Sequence, residues 1–230
     1  IRAAVEQHNE VCRLIRAIGD FRKEANPRVT GYEFHILTLV SYVAPKHLIV
    51  DKLRETLEEI KTREPDAADK YRARVVFVGS EVDDVDVIRL VEESGAYVCA
   101  DRFCYGSLPG RDEILLNDDE DVVKQVCRQV QGRAQCPRYW DMAKMTGRRD
   151  YVADLAKEYG ADGIIYEQMK FCDPWAYERM IGTIVLRDEH GYPVLAVDRP
   201  YSIGSSGQMR TRVQAFVESI EIKKIQGGKK

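Results

Sequence analysis

The chain has 230 residues, 44% of them hydrophobic and 32% charged, with a formal net charge of -3. That is the composition of a globular chain able to bury a sizeable core, long for one domain and short for two full ones. It excludes a strongly basic nucleic-acid binder; no apolar run approaches the ~20 residues of a membrane span and no stretch reads as a signal peptide, so neither nucleic acid nor membrane is expected as a partner.

Residues 1–23 read as a helix, with Val5, Val11, Leu14, Ile15 and Ile18 at helical spacing. This helix is already under way at Ile1 with no capping residue ahead of it, so an N-terminal domain is expected upstream, missing by truncation, processing or lack of order. Pro27 ends the helix by driving Asn26 out of the helical region. Thr30 and Glu33 have the spacing of a capping box, which predicts a second helix through Phe34, Leu37 and Val40. A third runs over about 45–63, with Leu48, Leu53, Leu57 and Ile60 on one side. Residues 1–70 therefore read as a helical attachment region.

From residue 71 the texture changes. The run 74–80 is continuous and β-branched, as in a strand buried on both faces. A helix over 84–94, a strand over 96–101, a polar stretch to 118 and helices over 119–131 and 147–159 follow. Then come a strand over 163–168, a helix over 174–187, a strand over 193–198 and a helix over 207–220. Alternating strands and helices predict an α/β domain over 71–222: a small doubly wound four-stranded parallel sheet flanked by helices. The Lys-rich residues 223–230 read as a flexible tail. Ligands of such sheets sit outside the carboxyl ends of the strands. Residues 79–81, 101–104, 170–172 and 198–201 are thus expected along one edge.

Six cysteines stand at 12, 99, 104, 127, 136 and 172, too scattered for a disulfide scaffold and without a CxxC pair. They imply a reducing, cytoplasmic compartment. Cys172 follows the third strand, and Asp173-Pro174 opens a helix behind it. A thiol beside a helix N-terminus is expected to have a lowered pKa, available as thiolate for iron or as a nucleophile; a small buried residue at a tight turn is the other reading. Cys104 opens a turn-rich loop and is either a second ligand, a substrate-loop residue or an idle thiol. Cys136 reads as packing, and Cys12, Cys99 and Cys127 as core. The spacing of 99, 104, 136 and 172 suits an iron–sulfur cluster poorly; a cluster completed by cysteines upstream of this chain suits it better. Residues 203–212 form a glycine-rich helix start in which Gly204, Ser205, Ser206, Gly207 and Gln208, assisted by Arg210 and Arg212, are candidates for an anion or substrate; a flexible cap is the alternative. It is neither a Walker motif nor GxGxxG. No hydrolase triad is evident, and no residue is assigned as catalytic.

The stretches "GADGIIYEQMKFCDPW" and "GYPVLAVDRPYSIGSSGQMRTRVQAFVESI" resemble the C-terminal domain of the 2-hydroxyacyl-CoA dehydratase and benzoyl-CoA reductase family, and the likeness extends back through "AYVCADRFCYGSLPG". The resemblance implies a [4Fe–4S] cluster held by three cysteines per subunit. One falls on Cys172; the other two belong to an upstream domain. It further implies a homologous second subunit, a separate ATP-dependent iron–sulfur activator as electron donor, and an acyl-CoA substrate. In this reading Cys104 holds no iron, and the helix start at 204–208 touches the cluster or the thioester. "ADRFCYGSLPG" looks more like the benzoyl-CoA reductase branch, which reduces the ring. The alternatives are an (R)-2-hydroxyacyl-CoA dehydratase subunit and an electron-relay or non-catalytic binding subunit of the same fold.

Overall fold

The computed structural model describes residues 1–65, 70–104, 112–133, 135–201 and 206–227. Three helices come first, α1 (Arg2–Asp20), α2 (Gly31–Val43) and α3 (Lys46–Thr62). The capping box at α2 forms: Thr30 Oγ1 accepts from Glu33 N at 3.0 Å, and Glu33 Oε2 accepts from Thr30 N at 2.9 Å. Val11, Ile15, Ile18, Phe34, Leu53 and Ile60 form an apolar cluster among these helices.

The remainder alternates as expected: β1 (Ala73–Gly79), α4 (Val85–Glu93), β2 (Ala96–Phe103), α5 (Val122–Arg133), α6 (Met142–Glu158), β3 (Gly163–Met169), α7 (Asp173–Asp188), β4 (Val194–Arg199) and α8 (Ser206–Gly227). The four strands form an all-parallel sheet in the order β2-β1-β3-β4. One face is covered by α4 and α8 through Val87, Ile88, Val213, Val217 and Ile220; the other by α6 and α7 through Val152, Leu155, Trp175 and Leu186. Burial on both faces is why the strands lack the apolar–polar alternation of a half-exposed sheet.

The helix bounds depart most from the sequence expectation at α6 and α8. Helix α6 begins at Met142 rather than Gly147, because Asp141 caps it by accepting from Lys144 N at 2.7 Å. Gly147 lies inside the helix, where a Cβ would meet nothing within 4 Å. Helix α8 continues through residues 223–227, which by composition alone belong to the tail. Ile220 anchors it on the sheet, and Lys224 Nζ pairs with Asp162 Oδ2 at 2.7 Å.

The helical region is fastened to the sheet by buried polar contacts. Glu92 of α4 accepts from the N–H groups of Gly31 at 2.8 Å and Tyr32 at 3.2 Å, at the start of α2. Arg22 Nη1 meets Asp101 Oδ1 of β2 at 3.1 Å, both side chains buried. Residues 113–117 run between α1 and α5, and side-chain amides hold their backbone on both sides. Asn9 exchanges two 2.8 Å bonds with Ile114; Gln129 pairs with Leu115 at 2.9 and 2.6 Å, and Gln125 with Asn117 at 2.8 and 3.1 Å.

Candidate functional site

All four strands point the same way, so their carboxyl ends share an edge. Cys104 N donates to Ser80 O at 3.3 Å, and Lys170 N to Arg199 O at 2.8 Å, which ties the residues after β1, β2, β3 and β4 together as the strand-end rule requires. The strand order reverses between β1 and β3, where the buried Ser80 and the turn over 169–172 follow the strand ends.

A buried polar network lies beneath this edge. Ser80 donates through N (3.1 Å) and Oγ (2.8 Å) to Glu167 Oε2, and its Oγ accepts from Met169 N at 2.8 Å. Arg199 Nε lies 2.8 Å from Glu167 Oε1, an ion pair rather than an aligned hydrogen bond. The same guanidinium donates to Pro200 O at 3.3 Å, to Tyr201 O at 3.1 Å and to Glu81 O. It therefore ties the chain after β1 to the chain after β4. Burial pushes the Glu167 carboxyl up to about 7, against the pull of Arg199 and Ser80. Gly79 is required here, since a Cβ would sit 2.4 Å from Glu167 O.

Cys172 is the residue ahead of α7, with Pro174 in the first turn. The residue is 8% exposed and packs with Tyr166 and Trp175. The expected lowering of its pKa is overturned: burial pushes it up, Glu81 and Cys136 add to the rise, and the Trp175 backbone N–H and Arg138 only oppose it. Desolvation outweighs the helix end, which is a partial charge acting on a thiol largely removed from water.

Cys104 is half-buried, and Trp175 Nε1 donates to its Sγ at 2.7 Å. Burial pushes this thiol up to about 12, opposed by that hydrogen bond and by Arg102. The Arg102 guanidinium is buried, stacks 4.8 Å over Trp175 and donates to Gln135 Oε1 at 3.2 Å. Cys136, read as packing from the sequence, stands half-buried, with Arg138 Nη1 donating to its Sγ at 3.4 Å. Cys172 and Cys104 pack in one apolar cluster with Trp175, and Cys136 meets Arg138; Cys12 and Cys99 lie in the interior, and Cys127, expected in the core, is exposed on α5.

Gly204 and Ser205 lie outside the described residues; Ser206 opens α8, and Gly207 and Gln208 are exposed in its first turn. Gln208, Met209 and Arg212 line a small cleft with Asp198, Arg199 and Pro200, so this helix start adjoins the end of β4. Arg210 is engaged elsewhere, paired with Glu93 Oε2 at 2.9 Å, and Arg212 donates to Ala196 O at 2.6 Å.

Among the described residues, no group of three or more Cys, His, Asp and Glu side chains converges closely enough to hold a metal ion. The described residues of this edge therefore do not by themselves assemble a complete cluster. Sequence reasoning put Ser80 and Arg199 among the strand ends expected on this edge but gave them no role, and it missed Glu167 and Arg138. A signal existed for Glu167, a charge near the end of an otherwise apolar strand.

A family model described as 2-hydroxyglutaryl-CoA dehydratase, D-component, matches residues 1–220. The chain is 29% identical over 182 residues to the beta subunit of (R)-phenyllactyl-CoA dehydratase from Clostridium sporogenes, covering 78% of this chain and 46% of that one. It is 22% identical over 227 residues to one of the benzoyl-CoA reductase subunits of Thauera aromatica, covering 96% and 57%. It is 26% identical over 180 residues to the beta subunit of (R)-2-hydroxyglutaryl-CoA dehydratase from Acidaminococcus fermentans, covering 75% and 46%. The chain spans about half the length of these curated relatives.

Proposed function

From the premise that the chain belongs to the 2-hydroxyglutaryl-CoA dehydratase D-component family, we propose that it is part of an iron–sulfur enzyme subunit that delivers single electrons to a CoA thioester. The observation that carries this reading is Cys172, a thiol on the strand-end edge where the strand order reverses, on a turn pinned by β3 and α7. Cys172 would be one anchor of a [4Fe–4S] cluster whose other ligands come from outside this chain. Bound there, the cluster supplies electrons at low potential. The Trp175 backbone N–H steadies the sulfur as thiolate. Ser80, Glu167 and Arg199 hold the turn and its neighbouring loops in register. A homologous second subunit and an ATP-dependent iron–sulfur activator complete the machinery. The setting is the reducing cytoplasm, consistent with all six cysteines being free.

Two reactions fit. Ring reduction of benzoyl-CoA is the first, on the sequence over 100–110 and the relative covering 96% of the chain. Dehydration of an (R)-2-hydroxyacyl-CoA is the second, favoured by the 29% identity to a dehydratase subunit. An electron relay is a third role open to the same fold. Ring reduction adds two electrons and two protons to each substrate, whereas dehydration loses water and consumes no net electrons. The test is to purify the full-length subunit with its partner and activator without oxygen, and to titrate reductant against product. Reductant consumed in proportion to product, with benzoyl-CoA as substrate, supports reduction; turnover of a 2-hydroxyacyl-CoA on catalytic amounts of reductant replaces it with dehydration. A colourless protein without a cluster spectrum overturns the iron–sulfur reading.

A further inference from the structure

Cys172 sits on a turn that does not hold itself. Residues 169–172 form a four-residue turn closed by Cys172 N donating to Met169 O at 3.1 Å. Its third position, where glycine is the usual occupant, is Phe171 at φ of 71°, the one non-glycine residue with positive φ among the described residues. The left-handed conformation is strained for a residue with a Cβ, and worse for a bulky one. Phe171 is 96% exposed here, so no packing within this chain offsets that strain. Strain of this kind persists only where the surroundings over-determine the backbone.

Two bonds do so. On the β4 side Lys170 N donates to Arg199 O at 2.8 Å. On the β1 side the ladder stops short, since β1 pairs with β3 only as far as Val78 and Tyr166. Beyond that point the Ser80 hydroxyl stands in for a strand, its Oγ accepting from Met169 N at 2.8 Å. A hydroxyl has one hydrogen, and Ser80 gives it to Glu167 Oε2 at 2.8 Å, which fixes the rotor and leaves a lone pair facing Met169. The Arg199 guanidinium serves the loops after β1 and β4 instead. Ser80 and Glu167 are fully buried, so a segment from outside this chain has no access to these bonds.

We infer that Ser80 is the positioning residue for Cys172. Its hydroxyl, oriented by Glu167, clamps Met169 N and so keeps the left-handed turn that sets where the Cys172 sulfur stands. This rests on the iron-anchor reading of Cys172 above and deepens it by assigning what holds the sulfur in place. The clamp is needed because Phe171 has a Cβ. With glycine there, the same turn lies in a backbone minimum and keeps its shape when the clamp is removed.

The experiment uses the full-length subunit with its partner, purified without oxygen, as wild type, Ser80→Ala, Phe171→Gly and the double variant. Release of iron to an iron(II) chelator is timed in each. Ser80→Ala is expected to release iron about tenfold faster than wild type, and the double variant to return to within about twofold of Phe171→Gly. Unchanged release in Ser80→Ala overturns the proposal. So does fast release in the double variant, which makes Ser80 a packing residue whose loss acts on the whole fold. Should Ser80→Ala not fold, folding of the double variant keeps the proposal and failure of both ends it. If the wild type holds no iron, the iron–sulfur reading fails, and alkylation of Cys172 by iodoacetamide, followed by mass, decides the inference separately. Faster alkylation in Ser80→Ala than in wild type, reversed in the double variant, keeps it; equal rates, or a rise that the double variant shares, end it.

Discussion

At Cys172 two influences oppose each other: burial raises the thiol's pKa, while the Trp175 N–H and Arg138 favour the thiolate. Iron bound at Cys172, as proposed, would settle the contest, because coordination replaces the proton and a pinned sulfur needs little ordering to bind. Cys104 differs in kind. Its sulfur already accepts the Trp175 indole N–H, and burial holds its proton up to about pH 12. In the full-length subunit purified without oxygen, Cys172→Ser is expected to lose most of its iron and acid-labile sulfide, and Cys104→Ser to keep both. Equal loss in the two variants would make Cys104 a ligand; full iron in Cys172→Ser would leave that cysteine a turn residue. The Lys-Phe-Cys-Asp turn was legible in the sequence because strand, cysteine and proline fall in a row. The hydrogen bond between Trp175 and Cys104 was not, because it joins side chains 71 positions apart.

Among the elements, α2 shows how tightly the helical region is seated on the sheet. Its first residue, Gly31, has no room for a side chain: a Cβ would stand 2.6 Å from Val98 Cβ and 2.7 Å from Val98 O, both on β2. Glu92 caps the same helix end from α4. Gly31→Ala should therefore push α2 away from β2 and destabilise the chain by about 1–3 kcal/mol, read as a lower denaturation midpoint at unchanged slope. An unchanged midpoint would show that α2 shifts freely, contrary to these contacts. Thr30 and Glu33 announced this helix, since a capping box is local chemistry. Its seat on Glu92 could not be read, since that carboxylate lies 61 residues away. The late start expected for α6 has a local cause: a glycine such as Gly147 reads as a boundary, although the cap is Asp141.

Taken over the whole molecule, the sheet was legible because four apolar runs alternate with helices. The network beneath the site was not, because Ser80, Glu167 and Arg199 meet only once β1, β3 and β4 are side by side. That network and the Glu92 seat share a pH signature. Burial raises both carboxyls from 4.5 to about 7 in the folded chain. The folded state thus holds protons that the unfolded state has released, so the stability these groups contribute is complete below about pH 4.5 and lost as pH rises through about 7. Buried His35 has the opposite sign. Its pKa is lowered by desolvation, and its contribution falls away as pH drops below about 6.5. The wild-type profile should accordingly be shallow. The difference between wild type and Glu92→Gln, followed by thermal midpoint from about pH 5 to 8, should shift in favour of wild type as pH falls. A constant difference across that range would remove Glu92 from the titration.

The strap at residues 113–117 has a consequence for how such a protein changes over generations. Asn9, Gln125 and Gln129 grip its main chain, as neighbouring strands grip one another in a sheet, and ask nothing of the side chains it carries. Glu113 is tied further, by Arg13 at 2.6 Å and Arg16 at 2.5 Å, so the freedom to mutate falls to exposed side chains such as Leu115, while the three amides that hold the strap are fixed. A lineage can vary the exposed Leu115 at little cost to the strap while Asn9, Gln125 and Gln129 stay fixed.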